Sequence, residues 1–259
     1  MSKLAAPPSG PLRAELTAGV LTLTLDRPDK RNALDAVLID ALSAALERAD
    51  LDAEVRVVAL RGAGKDFCAG ADLQELLDSA DRSPAENEAS ALRLGQIFLA
   101  IRRLPKPVVA VVQGRALAGG AGLATACDLV LMGAGAQLGY PEIQRGFVPA
   151  MVMTLLRRLA GERAALDLVL TGRVLAADEA RVLGLVSRVV PDDRLEAEGR
   201  TVLASLAAAS PTALALTKRL FHELDGLGFE EGIRLGARVN AQARQTPDFR
   251  EAIARFLRK

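Results

Sequence analysis

The sequence predicts an α/β fold that ends in a helical region. Two observations predict it. Short apolar strands alternate with helical patterns over most of the chain, the order expected of helices packed on a largely parallel sheet. From about Arg194 onward the pattern is almost wholly helical. At 259 residues the chain is long enough for one large core, or for one core and a small appendage. With 50% hydrophobic but only 3% aromatic residues, no Trp and one Tyr, that core has to be built from Leu, Val, Ile and Ala.

The elements follow in order. Residues 1–12 carry Pro7, Pro8 and Gly10 and no long apolar run, so they read as a loose tail rather than a signal peptide. Residues 19–25 form the first strand candidate, with Leu21, Leu23 and Leu25 on one face. Asp26-Arg27-Pro28-Asp29 breaks it. Asp35 can cap a helix to about Ala49, with Leu38, Leu42 and Ala45 along one stripe. Residues 55–60 are a second strand, and residues 78–90, polar and acidic, read as a mobile surface loop. A helix over 92–104 ends at Pro105. Residues 107–112 are a β-branched strand, and 128–132 are another strand. Helices are predicted at 151–160, 162–170 and 177–183, with a last short strand at 185–190.

Several function classes are excluded early. Lys plus Arg is 33 against 32 for Asp plus Glu, which leaves no basic footprint for nucleic acid. Cys68 and Cys127 cannot build a disulfide scaffold, so a reducing, cytoplasmic compartment is the default. A single histidine, His222, rules out His-rich metal sites, and no carboxylate loop has calcium-site spacing, so no metal is expected. The most membrane-like stretch, 107–141, is cut by Arg115 and Asp128, which leave 12 uncharged residues between them. A spanning helix needs about 20 apolar residues.

The chemistry is carried by three glycine segments: Phe67-Cys68-Ala69-Gly70-Ala71-Asp72, Ala116-Leu117-Ala118-Gly119-Gly120-Ala121-Gly122-Leu123, and Gly139-Tyr140-Pro141-Glu142-Ile143. A strand followed by glycines and a helix points backbone N–H groups at one spot, where they can hold an anion or a developing oxyanion. The competing reading is that the glycines only permit tight helix–sheet packing. Spacing alone puts the packing reading slightly ahead.

Taken in order, these segments resemble the crotonase (enoyl-CoA hydratase/isomerase) superfamily. The resemblance begins at Leu23-Thr24-Leu25-Asp26-Arg27-Pro28 and Asn32-Ala33-Leu34. It continues through the three glycine segments, Ala126-Cys127-Asp128-Leu129 and Gly146-Phe147-Val148-Pro149, and ends at Phe256-Leu257-Arg258-Lys259. It implies a crotonase-like spiral of ββα turns over 13–195 that holds an acyl-CoA site. Residues 196–259 would be a helical region that packs subunits into a homotrimer or a dimer of trimers. The substrate would be an acyl thioester of coenzyme A, with no separate cofactor. The oxyanion hole would be the N–H groups of Ala71 and Gly119, and the acid/base would be Glu142.

The same resemblance implies coenzyme A contacts at Lys30, Arg31, Ala33 and Ala69, with Phe256 and Lys259 reaching the adenine end from a neighbouring subunit. For Lys30 and Arg31 a solvated basic turn is the alternative; for Phe256 it is a buried helix residue. Phe147 and Met151 would line the acyl pocket. His222 matches no family motif and reads as structural or surface; Asp72 and Asp128 read as turn or hydrogen-bonding residues.

One departure is informative. Typical hydratases of the superfamily carry a second glutamate in the helix after the second glycine segment, and here that position is Gly122. One carboxylate suits a double-bond shift, which needs a single base to carry a proton from C2 to C4. It also suits single-glutamate hydration, as in relatives acting on branched glutaconyl-type thioesters. Those share Gly-Gly-x-Gly-Leu and Pro-Ala, as at Gly119 to Leu123 and Pro149-Ala150, which puts hydration first and isomerisation second. A non-catalytic acyl-CoA-binding relative is the third alternative.

Overall fold

The computed structural model describes residues 10–258. The chain opens with a hairpin, β1 (Leu12–Thr17) and β2 (Val20–Leu25). Asp35 then caps α1 (Ala36–Leu51), its carboxylate accepting from Leu38 N at 2.8 Å. Next come β3 (Val57–Gly62), α2 (Leu73–Asp78), α3 (Pro84–Arg103), β4 (Val108–Val112), β5 (Arg115–Leu117) and α4 (Gly119–Ala126). β6 (Leu129–Gly133) and β7 (Gln137–Gly139) lead into a 3-10 turn at Pro141–Arg145. After it stand α5 (Ala150–Leu159), α6 (Gly161–Thr171), β8 (Val174–Ala176), α7 (Ala177–Val182) and β9 (Arg188–Val190). The helices α8 (Leu195–Ala208), α9 (Pro211–Glu223), α10 (Phe229–Ala243) and α11 (Pro247–Leu257) follow.

Two sheets organise these elements. One has six strands in the order β1-β2-β3-β4-β6-β9, parallel except for the opening hairpin. The other has β5-β7-β8, with β5–β7 parallel and β7–β8 antiparallel. Isolated bridges Leu34–Ala71 and Cys68–Ala116 extend the smaller sheet toward earlier parts of the chain. Successive turns of chain therefore add a long strand to one sheet and a short step to the other, as β4 and β5, then β6 and β7, do.

The central strands β3, β4 and β6 of the large sheet are buried on both faces, which is why they read as largely apolar runs. In β3, Val58 and Leu60 join the core shared with Leu38 and Leu42 of α1 and Ile97 and Ile101 of α3. Val57 and Ala59, alternating with them, join the second core under Val202 and Leu203 of α8. A buried ion pair fastens the helical region to this body. Lys218 Nζ of α9 donates to Asp128 Oδ2 at 2.7 Å and to the carbonyls of Ile101 and Lys106. Burial pulls the Lys218 ammonium down and pushes the Asp128 carboxyl up, and their mutual attraction opposes both shifts. His222 is half-buried beside them, 4.0 Å from Asp128. His222 and Asp128 are thus placed as structural residues.

Two expectations are corrected, and one element was not anticipated. The loose tail does not extend to residue 12: β1 begins at Leu12, and Pro11 O already accepts from Asp26 N at 2.7 Å. Its Leu12 and Ala14 point inward while Arg13 and Glu15 stay exposed, so alternation pays for the pairing with β2. Residues 78–90 are not a loop throughout, because α3 starts at Pro84. Ser83 and Glu86 form a capping box that starts it, and the Pro sits where its missing N–H costs nothing. Between α6 and α7 lies a three-residue strand, β8, that no periodicity announced. Among the described residues no helix is long and apolar enough to cross a membrane.

Candidate active site

The site is assembled where the three glycine segments meet. Leu34 N donates to Gly70 O at 2.8 Å and Asp72 N to Leu34 O at 2.9 Å, which leaves Ala71 N facing away from that pairing. Neither Ala71 N nor Gly119 N finds an acceptor among the described residues. Gly119 is the first residue of α4, where a helix has N–H groups to spare. Both residues are partly exposed, while Gly70 and Gly120 beside them are buried.

Their mutual approach depends on Gly70. It sits at φ +98°, and a Cβ there would stand 2.8 Å from Ala118 Cβ and 3.0 Å from Leu117 O. Only glycine lets the two segments close on each other at this backbone angle. Ala71 N stands 4.0 Å from the place a Cβ would take on Gly119, which puts the two donors side by side. Ala118, at φ 52° and ψ −126°, holds a conformation that alanine rarely adopts, and strain of this kind gathers at working sites.

The third segment is tied to the second. Ala118 N donates to Gly139 O at 2.8 Å, and Leu117 pairs with Gly139 in the β5–β7 register. The chain then turns through Pro141–Arg145, and Glu142 becomes a buried carboxylate, 8% exposed. Among the described residues its Oε2 is buried with no hydrogen-bond partner. Burial pushes its pKa above the usual carboxylate range, against the pull of a backbone hydrogen bond and Arg145. Buried polar atoms are ordinarily paired, so an unpaired, pKa-raised carboxylate makes Glu142 a candidate functional group.

The arrangement is two parallel-chain glycine turns that offer free N–H groups and one buried carboxylate held on the adjoining strand end. A profile of the enoyl-CoA hydratase/isomerase family matches residues 15–259. The chain belongs to that family. A Thermus thermophilus protein, provisionally named an enoyl-CoA hydratase, is 45% identical over 240 residues, 93% of this chain and 95% of its own. The 2,3-dehydroadipyl-CoA hydratase of Escherichia coli is 34% identical over 93% of this chain and 92% of its own. The crystal structure of an enoyl-CoA hydratase from Mycobacterium smegmatis matches with a TM-score of 0.92 at 34% identity, over 96% of this chain and 97% of that one.

The family's fold, a crotonase-like α/β core with a C-terminal helical region, is the one described above. Of the expected binding residues, Arg31, Ala33 and Ala69 are brought together: Ala69 N donates to Arg31 O at 3.0 Å, and Ala33 lies buried beside them. Lys30 and Arg31 are exposed, and Arg31 reaches Asp66 only at 3.9 Å. Phe256 is not the buried helix residue of the alternative reading; it is 75% exposed on α11. Lys259 lies outside the described residues. Phe147 is half exposed after the Glu142 turn, and Met151 is partly buried, with its sulfur 3.5 Å from where a Cβ on Gly95 would be.

Two polar residues of the site gave little signal as a sequence. Arg27 pairs with Asp35 at 3.0 Å and with Asp72 at 3.1 Å and so braces the step that carries Ala71. Burial works to raise the Asp72 carboxyl, but the hydrogen bonds from Arg27 and from the α2 backbone outweigh it and hold the pKa low. Asn32, fully buried at φ 56°, donates to Ala63 O and Asp66 O and accepts from Arg27 N. In the sequence it stands in the Asn32-Ala33-Leu34 step of the resemblance, with nothing there to assign it this bracing role. Cys68 is buried, and burial pushes its thiol up to about 12; Cys127 is also raised by burial, so both are inert core residues rather than nucleophiles.

Gly122 has no room for a carboxylate. A Cβ there would stand 2.4 Å from Val152 Cγ1 and 2.9 Å from Phe98 Cζ. The position of the second glutamate is closed by apolar side chains of α3 and α5. This decides what Gly122→Ala should do. Alanine is worth about 1 kcal/mol over glycine inside a helix, but overpacking a filled core costs about 1–3 kcal/mol. The variant should therefore be less stable than the wild type in urea titrations, not more. Gly122→Glu would face the same contacts and more.

Proposed function

We propose that this chain is a hydratase of 2-enoyl-CoA thioesters that works with one carboxylate. The single observation that carries the reading is the buried Oε2 of Glu142, without a partner among the described residues, on the turn that follows the strand tied to Ala118 and Gly119 by the bond from Ala118 N to Gly139 O. The hydratase names of the relatives support it. As water adds its oxygen to C3, its proton passes to the Glu142 carboxylate. The C2–C3 π electrons move onto the thioester, and the enolate oxygen takes its charge between the N–H groups of Ala71 and Gly119. The resulting Glu142 carboxylic acid then gives its proton to C2. Coenzyme A enters and leaves as part of the substrate, and no cofactor is needed. Lys30 and Arg31 would meet its phosphates at the rim, with Ala33 and Ala69 against the nucleotide loop. Phe256 and Lys259 would come from a neighbouring subunit. Phe147 and Met151 would line the acyl end.

The isomerase reading has one observation in its favour. The closed Gly122 position leaves Glu142 as the only matched acid/base, and a shift of the double bond from C3 to C2 asks for one such group. A product assay with 2-enoyl and 3-enoyl thioesters of several acyl lengths separates the two. Hydration as the main product supports the first reading and isomerised 3-enoyl-CoA the second; no turnover of any thioester would leave an acyl-CoA-binding relative.

The pH dependence has a fixed sign. The base must be ionised to take the proton from water, so turnover is lost as pH falls through the Glu142 pKa. Because burial raises that pKa, the acid limb should lie above 4.5, the ordinary value for glutamate. A kcat profile against pH checks it. Assembly is part of the proposal. Phe221, Phe229, Ile233 and Phe256 on α9, α10 and α11 are 61–88% exposed, a set of apolar residues that a trimer or a dimer of trimers would cover. Sedimentation at micromolar concentration should give three or six copies, and a stable monomer would refute the assembly. Two free, buried thiols suit a reducing compartment such as the cytoplasm.

A further inference from the structure

The proposed chemistry needs Glu142 and the Gly119 N–H at a fixed spacing, yet they sit on different elements, one on the 3-10 turn and one on α4. The hydrogen bond between Ala118 N and Gly139 O joins the roots of these elements. One further polar contact joins them deeper in the core. Tyr140, the chain's only tyrosine, is fully buried two residues before Glu142. Its hydroxyl lies 3.3 Å from Thr125 Oγ1, its one hydrogen-bonding partner among the described residues. Thr125 is also buried, in the second half of α4, and its Oγ1 donates to Ala121 O at 2.8 Å. With the threonine proton used there, the Tyr140 O–H is left to donate to Thr125. The result is a chain from the turn of Glu142, through two buried hydroxyls, into the backbone of the helix that begins with Gly119.

We propose that Tyr140 and Thr125 are positioning residues that hold the Glu142 carboxyl in register with the Gly119 oxyanion donor. The proposal rests on the reading of Glu142 as the acid/base. A buried hydroxyl with one partner is costly to leave unpaired, so the bond resists any slip of the turn along α4. A slip matters because catalytic geometry tolerates little error; a displacement of about 1 Å can cost on the order of 100-fold in rate. The charge of Glu142 also acts on the Tyr140 hydroxyl, and Arg145 is the charged group that attracts Glu142. A loosened turn would admit water to the carboxyl, and its pKa would fall back toward the ordinary glutamate value.

The test compares Tyr140→Phe, Thr125→Val and the double variant with wild type in the full-length protein. Two readouts are used. One is kcat and KM on the best enoyl-CoA of the thioester panel. The other is the titration of the Glu142 side-chain carboxyl by carbon NMR, assigned by its loss in Glu142→Gln, which needs no turnover. The expected result is a roughly 10- to 100-fold lower kcat in each single variant with KM little changed. The double variant should lose no more than either single one, and the Glu142 titration should move to lower pH. Thr125→Ser, which keeps the hydroxyl, should recover what Thr125→Val loses. A purely structural bond would lower the melting temperature and leave kcat, KM and the Glu142 titration at wild-type values; that result overturns the proposal. Failure of the underlying reading looks different, since Glu142→Gln would then match the wild type on every thioester. The titration still decides the positioning in that case: an unmoved Glu142 resonance in Tyr140→Phe rejects it.

Discussion

Glu142→Gln should abolish useful turnover on every acyl-CoA the wild type accepts, with a loss of about 10²–10⁴-fold, the usual worth of general acid–base assistance. Glutamine keeps the size of the side chain but cannot take a proton from water and hand it on. No second carboxylate can stand in, because the position that would hold it is Gly122, packed against Val152 and Phe98. The fold should survive. The substitution removes a buried acid whose Oε2 has no partner, so melting and circular dichroism should stay near wild type. Steady-state kinetics on purified protein are sufficient. Wild-type rates in this variant would remove Glu142 from the chemistry and turn attention to Asp72, Glu75 and Asp128, of which Asp72 and Asp128 are already engaged by Arg27 and Lys218.

The second large effect is expected at the proposed oxyanion hole. Gly119→Pro deletes one of the two free N–H donors. Loss of a single such donor typically costs ~100–1,000-fold in kcat, about 3–4 kcal/mol of barrier. Gly119 is the first residue of α4, a place where proline fits the helix and its missing N–H breaks no helical bond. A Cβ at this position would meet Leu94 Cδ2 at 3.1 Å and Leu34 Cδ1 at 3.5 Å, ends of flexible side chains that can give way. The preceding Ala118, already in a strained conformation, is where distortion would show, so circular dichroism and a thermal melt accompany the kinetics. A folded variant with near-normal kcat would take Gly119 out of the mechanism.

Much of this was legible in the sequence, and the parts that were not share a physical cause. The buried strands read well because β3 and β4 are apolar on both faces, and α1 read well because Asp35 and the Leu38–Leu42–Ala45 stripe agree. The start of α3 was hidden by its own composition. Acidic residues and a proline suggest a loop, yet Ser83-Pro84-Ala85-Glu86 is a capping box with proline in its favoured place. β8 is three residues long, too short for any period to appear.

The site divides in the same way. Ala71, Gly119 and Glu142 were named as candidates through the family resemblance that the glycine segments carry, but composition could not say that Glu142 would be buried without a partner among the described residues, since it lies in an irregular turn. The sequence displayed the missing carboxylate at Gly122. Only packing reveals that Val152, 30 residues away, and Phe98 close the space. The contact between Thr125 and Tyr140 crosses two elements and follows no spacing rule at all.

The central claim is that Glu142 moves a proton between water and C2 of an enoyl thioester whose oxygen is held by Ala71 and Gly119. The most direct measurement is the product formed in deuterium oxide, followed by proton NMR and mass spectrometry, from a 2-enoyl-CoA accepted in the product assay. Wild-type protein should give the 3-hydroxyacyl thioester with one deuterium at C2, and Glu142→Gln should give almost none in the same time. Deuterium entering C2 at equal rates in the two proteins, or a hydrated product with no deuterium at C2, would contradict the account.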